Sequence, residues 1–235
     1  MSGREPEARR PMTAAELMER LQSDPAHAAR SRRREQQRQA AAAGTRAAAA
    51  PLIAELRAAG HDVERVSELH ERRLDYRDAL PVLIRWLPAI SDRRLKEAVV
   101  RALTVPWARP VAAPVLIREF RDADDATGSY RWAVGNALSV VADDSVLPDI
   151  VALATDRRYG KAREMVVLAL GNMSDPRAVD ALVDLLPDEE VAGHAVMALG
   201  KLRAPSARAA LEPFLDHPKD WVRQEARKAL ASLDR

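Results

Sequence analysis

The stretch from Met165 to Leu186, MVVLALGNMSDPRAVDALVDLL, decides the fold because part of it is repeated. Its segment VLALGNMSD (167–175) returns about thirty residues later as VMALGKLRA (196–204). Five Ala-Leu pairs whose alanine follows an aliphatic residue by three positions recur at a regular spacing, with the leucines at Leu103, Leu138, Leu170, Leu199 and Leu230. The steps between these leucines are 35, 32, 29 and 31 residues. A near-constant step of this length indicates repeated structural units.

Each Ala-Leu pair completes one apolar face of a helix. In the first unit, Leu95 and Val99 lie seven and three positions before Ala102, and the other four units have apolar residues at the same places. Counted from Leu95 and its equivalents as position 0, the positions 0, 4, 7 and 8 share one side of an α-helix. We therefore expect these positions to be buried, and we name this segment helix B of each unit.

A second apolar-periodic segment precedes each helix B, at residues 79–87, 112–120, 146–154, 178–186 and 207–215. In the first three units its third residue is a proline (Pro81, Pro114, Pro148), which suits the first turn of a helix. Asp-rich turns follow, so each unit is predicted to be helix A, turn, helix B, turn. Because one unit cannot bury its apolar face alone, the sequence predicts an all-α, right-handed solenoid of about five stacked units, with helices B lining the concave side.

The segments VLALGNMSDP (167–176) and VMALGKLRAP (196–205), together with DWVRQEARKAL (220–230), resemble HEAT repeats of the short bacterial type that also occurs in bilin-lyase relatives. The resemblance covers residues 74–235. It implies the fold, whereas proteins with such repeats include adaptors, assembly factors, a few lyases and a DNA-repair branch. The resemblance therefore leaves the function open.

The first fifty residues differ from the rest in charge. They contain 10 Lys and Arg against 6 Asp and Glu, compared with 27 against 29 in residues 51–235. A capping box from Thr13 to Glu16 predicts a short helix to about Leu21, and Asp24-Pro25 predicts the start of a second helix. We predict a basic helical extension over residues 1–45, an atypical capping unit over 46–73, and five repeats from there to residue 235.

The second predicted helix carries an Arg-rich segment, whose cations are Arg30, Arg32, Arg33, Arg34 and Arg38. Such a segment could bind nucleic acid through its phosphates. It could also be a solvated extension, because it contains Glu35 and no interleaved aromatic residue on which a base would stack.

Some classes of function are disfavoured by what the sequence lacks. It contains no cysteine, which excludes disulfides and thiolate sites and fits a cytoplasmic protein. The five histidines are scattered, and neither HExxH nor GxSxG occurs, so we expect no metal, no cofactor and no enzymatic role. His194 lies in a helix B, where a packing or solvent-facing role is expected. No apolar run is long enough to span a membrane.

Two sets of helix B residues are candidates for a binding site. Position 1 carries a basic ladder, Lys96, Arg131, Arg163 and Arg223, which we expect to bond either within the solenoid or to a ligand. Positions 2 and 6 point to the groove or to a neighbouring helix B. They provide the predicted groove residues Trp132, Arg101, Asn136, Glu164, Leu168, Met197 and Lys228. An exposed aromatic residue beside methionine and charged groups suits the docking of a peptide or a helix.

Three functions are compatible with these features. The first is a non-enzymatic adaptor that binds a protein or peptide segment in the concave groove. The second is a nucleic-acid-binding protein of the base-excision repair type, for which Tyr130, Trp132 and Glu164 supply the aromatic and carboxylate groups. The third is the bilin-type chemistry that the resemblance implies. The acidic balance of residues 51–235 favours the adaptor.

Overall fold

The computed structural model describes residues 12–14, 18, 24–125 and 127–233. These residues form twelve α-helices and no β-strand, which confirms the predicted all-α class. The chain divides into two compact units, Met1–Ala47 and Ala48–Arg235. The helix predicted over residues 13–21 falls largely outside the described residues, and the predicted domain boundaries stay a prediction.

The first helix, α1 (Pro25–Ala58), is longer than the sequence indicated. It begins where predicted, and the Asp24 carboxylate accepts a hydrogen bond of 2.9 Å from the backbone N–H of Ala26. This helix runs across the predicted boundary between residues 45 and 46 and continues through Pro51. The alanine-rich stretches on both sides of Gly44 have the highest helix propensity, and they continue the helix. Its buried residues are Ala49, Leu52, Ile53 and Leu56.

The second unit consists mainly of helix pairs, preceded by a short helix, α2 (Glu68–Glu71). The helices A are α3 (Leu80–Trp86), α5 (Ala113–Asp122), α7 (Leu147–Thr155), α9 (Arg177–Leu185) and α11 (Arg208–Leu211). The helices B are α4 (Arg93–Leu103), α6 (Ser129–Val141), α8 (Arg163–Leu170), α10 (Ala192–Leu202) and α12 (Asp220–Leu233). A proline lies in the first turn of α3, α5 and α7, as predicted.

Stacking of these pairs produces the solenoid that the repeats predicted. The two helices of each pair pack together, and each helix B also packs on the helix B of the next pair. The predicted core positions of the helices B are buried, apart from Leu230, which is partly buried. Leu230 belongs to α12, which has a helix B neighbour on one side only. The predicted register of the helices B is therefore confirmed.

The glycine that follows the Ala-Leu pair of α8 and of α10 lets successive helices B approach closely. A Cβ atom added to Gly171 would lie 3.0 Å from Cα of Ala198, and one added to Gly200 would lie 2.7 Å from Cβ of Ala229. Any larger residue would force the helices apart. The repeated Ala-Leu-Gly therefore reflects close packing between units.

Candidate partner-binding site

The basic ladder bonds within the solenoid. Nζ of Lys96 lies 2.7 Å from a carboxylate oxygen of Glu119. Arg131 donates to two backbone carbonyls at the end of α5, and Arg223 donates to two backbone carbonyls in the turn before α12. These contacts favour the intramolecular role over the ligand-binding role.

Arg163 is the fully buried member of the ladder, with 0% of its surface exposed. Its guanidinium donates to the carboxylates of Asp188 and Glu190, at 2.9 Å each. Both acidic residues lie in the turn before α10, so this arginine joins two consecutive units. Hydrogen bonding to Arg163 also lowers the pKa of Asp188 below its usual value. The ladder thus bonds within and between repeats, and we do not assign it to a ligand.

The seven predicted groove residues, which we name the B-helix face, differ in exposure. Trp132 is 43% exposed and Met197 is 36% exposed, although both side chains are large and apolar. Of the others, Arg101 and Lys228 are exposed, and Asn136, Glu164 and Leu168 are partly buried. The structure therefore places Trp132 outside the core, as the register predicted. Its contact with a partner stays a prediction.

A cleft of about 470 Å³, the Trp132 cleft, opens beside that residue. Tyr159, Arg158 and Lys161 are among its other lining residues. Arg158 pairs with Asp156 at 2.6 Å. Lys161 forms no hydrogen bond or ion pair with another described residue. The cleft thus combines two aromatic rings with an ammonium group that has no partner within the described part of the chain.

A second cleft, the Trp221 cleft, has a volume of about 380 Å³ and shares Lys161 with the first. It is lined by Trp221, which is 43% exposed, and by Glu164 and His194. Trp221 covers Gly193, which is buried, so position 2 of this repeat faces the neighbouring helix B, one of the two directions that the sequence allowed. We missed Trp221 because it stands one position before the start of the repeated register.

His194 lies beside Trp221, with their ring centroids 5.6 Å apart. Its Nδ1 atom is buried and has no hydrogen-bond partner among the described residues. Burial lowers the pKa of His194, and the negative charge of Glu164 opposes this shift. The imidazole is therefore neutral at neutral pH.

The Arg-rich segment belongs to the part of α1 that lies in the first compact unit. All five of its arginines are exposed, and Arg30 pairs with Asp24 at 3.4 Å. Binding of nucleic acid by this segment stays a prediction.

The helix pairs match a protein family. Residues 113–192 and 186–235, which together make up more than half of the chain, match the family model of HEAT repeats. The chain belongs to the HEAT-repeat family. The matched HEAT repeats include helices α5 to α12, and with them Trp132, Glu164 and Met197. The resemblance that the sequence indicated is thereby confirmed.

Two curated proteins are similar to part of this chain. Bilin biosynthesis protein PecE of Mastigocladus laminosus is 34% identical over 112 residues, which are 46% of this chain and 41% of the relative. Bilin biosynthesis protein PecE of Nostoc sp. is 29% identical over 111 residues, which are 46% of this chain and 44% of the relative. The match thus spans less than half the length of these relatives.

These relatives contradict one expectation from the sequence. We expected a protein with no enzymatic role, and that expectation is wrong, because the similar proteins are named for a biosynthetic process. The lack of HExxH and GxSxG argued only against two types of hydrolase, and it left other chemistry open.

A separate observation concerns membranes: within the described residues, no helix combines the length and the apolar character needed to cross one.

Proposed function

We propose that the HEAT repeats bind a protein segment along the B-helix face, with Trp132 as the central contact. The single observation that carries this proposal is the 43% exposure of a tryptophan whose helix is otherwise anchored by the buried residues Tyr130 and Val134. Exposed tryptophans beside a cleft often provide a large share of the binding energy in protein interfaces. The aligned residues of other helices B include Glu97 and Gln224, so the scaffold itself does not require an aromatic residue at this position.

The surroundings of Trp132 support a peptide ligand. The Trp132 cleft gives space for a side chain next to the indole, and Met197 adds an adaptable apolar contact farther along the B-helix face. The charged residues Arg101 and Lys228 lie on the same set of positions and are exposed to solvent. An apolar centre with a charged periphery is typical of protein-binding surfaces.

Cross-linking of peptides tests this proposal. A random peptide library would be panned against the full chain, and a photoreactive residue would replace Met197 on the B-helix face. The matched control replaces Val111, which is 55% exposed and lies in the turn before α5. We expect the selected peptides to cross-link at position 197 and not at position 111. Equal labelling at the two positions, or no enriched peptide, would overturn the proposal.

Bilin binding is a second candidate function, favoured by the names of the two relatives. A bilin is an open-chain tetrapyrrole with carboxylate groups, and the Trp132 cleft offers the rings of Trp132 and Tyr159 and the ammonium group of Lys161. Titration of biliverdin, followed by its visible absorbance, would test this candidate. We expect a saturable spectral change that weakens in Lys161→Gln. An identical spectrum with and without the protein would exclude it.

A further inference from the structure

The indole of Trp221 is held in one place and remains accessible. A Cβ atom added to Gly193 would lie 2.0 Å from the ring of Trp221, so the absence of a side chain at position 193 lets the ring pack on the backbone of α10. His194 contacts the ring from the same helix. Since 43% of Trp221 is still exposed, an immobilised aromatic surface borders the cleft.

The charged groups that line the Trp221 cleft nearly balance one another. Its carboxylates are Glu164, Glu189 and Glu190, and its ammonium groups are Lys161 and Lys219. Glu190 is bound to Arg163, whereas Glu164 forms no hydrogen bond or ion pair with another described residue. Because burial keeps His194 neutral at neutral pH, the imidazole does not repel a cation next to Glu164.

Elsewhere in the chain, an arginine of the protein itself lies over an aromatic ring. The guanidinium of Arg93 lies 4.2 Å from the ring centroid of Tyr130 and pairs with the carboxylates of Glu97 and Asp125. Arg77 lies over Trp107 in a similar way, 5.8 Å from its ring centroid. Among the described residues, no arginine or lysine lies over Trp221. The Trp221 cleft therefore has an aromatic ring and a carboxylate, and no cation of the described residues lies over the ring.

We propose that the Trp221 cleft is an arginine subsite, which receives an arginine side chain of the bound protein segment. The guanidinium stacks on the indole of Trp221, and its N–H groups donate to the carboxylate of Glu164. Arginine suits the cleft better than lysine, because its planar cation stacks on an aromatic ring and donates in parallel to a carboxylate. This inference rests on the proposed function, since it defines a residue that the bound segment contains.

A small probe tests the subsite separately from the segment. N-acetyl-arginine methylamide would be titrated into the full chain, and the NMR signal of the Trp221 indole N–H, assigned with Trp221→Phe, would be followed. The matched probe is the citrulline analogue, which has a similar shape and no charge, and the glutamate analogue tests for an anion. We expect saturation with the arginine probe and about fivefold or more weaker binding of the citrulline probe.

Variants identify the carboxylate. Glu164→Gln is expected to weaken binding of the arginine probe about fivefold or more. The control is Glu212→Gln, at an exposed glutamate after α11, which should leave binding of the probe unchanged. Equal binding of arginine and citrulline, no saturation, or no effect of Glu164→Gln would overturn the subsite. Tighter binding of the glutamate probe would also overturn it and would indicate an anion site at Lys161 and Lys219.

The experiment separates this inference from the proposed function. Trp132→Ala is expected to leave the affinity for the arginine probe unchanged, because Trp132 does not line the Trp221 cleft. The subsite can therefore fail while peptides still bind at Trp132. Conversely, the probe can bind at Trp221 in a protein that captures no peptide.

Discussion

Leu170 is the residue at which the register of the repeats can be tested most simply. It is fully buried at the Ala-Leu pair of α8, so Leu170→Ala is expected to lower the free energy of unfolding by about 2–5 kcal/mol in urea. Leu230→Ala is the matched control, because Leu230 occupies the same position in α12 and is only partly buried. Its cost is expected to be smaller. A loss below about 0.5 kcal/mol for Leu170→Ala would contradict the register.

His194 is expected to make the free energy of unfolding depend on pH. Burial lowers its pKa from the ordinary value of 6.5, so the unfolded chain binds more protons than the folded chain just below that pH. Its stabilising contribution is complete above pH 6.5 and is lost as the pH falls from there through the folded pKa. Guanidinium unfolding should therefore show a smaller loss between about pH 7.5 and about pH 5.5 in His194→Gln than in the wild type. The exposed His70 is the control, and equal losses in His194→Gln and the wild type would contradict the assignment.

The sequence predicted some single residues of the candidate site and missed others for a physical reason. The exposure of Trp132 followed from its helical position between buried neighbours. Trp221 and His194 could not be placed in this way, because their cleft forms where helices of different units meet. Trp221 of one unit covers Gly193 of the unit before it. The periodicity of a single helix cannot predict a contact of this kind between units.

At the scale of the helices, the contacts of Arg163 should contribute far more to stability than an arginine pair on the surface. Arg163 is fully buried and joins α8 to the turn before α10, so Arg163→Ala leaves Asp188 with only the exposed Arg157, at 3.3 Å. We expect a loss of about 3–5 kcal/mol in chemical unfolding. Arg177 pairs with Asp175 at 2.6 Å on the surface, and Arg177→Ala should cost less than about 1 kcal/mol. Equal effects of the two substitutions would show that Arg163 does not couple the units.

The helix pairs were largely predictable, whereas the length of α1 was not. Apolar spacing and first-turn prolines located the helices A and B, because each must bury one face against its neighbours. In α1 the helix depends on alanine propensity, which has no such face to mark where one segment ends. The sequence pattern therefore did not indicate that one helix runs from Pro25 to Ala58.

At the scale of the whole molecule, repetition explains why fold and function differ in predictability. Each unit of the solenoid contacts mainly its neighbours, so the same core pattern recurs and reveals the architecture. The proposed function depends on residues that break the pattern, such as Trp132, and no repeated signal accompanies them. Bilin-type chemistry was implied only by the resemblance of the repeats, and the comparisons give two bilin-biosynthesis proteins as relatives.

Replacement of Trp132 by alanine tests the central claim most directly. The affinity of a peptide selected on the full chain would be measured by calorimetry, together with the free energy of unfolding. We expect Trp132→Ala to lower the affinity for the peptide about tenfold or more, equivalent to about 1.4 kcal/mol of binding free energy. The same substitution should change the free energy of unfolding by less than about 1 kcal/mol. Unchanged affinity in a variant of unchanged stability would contradict the claim that the B-helix face binds the segment.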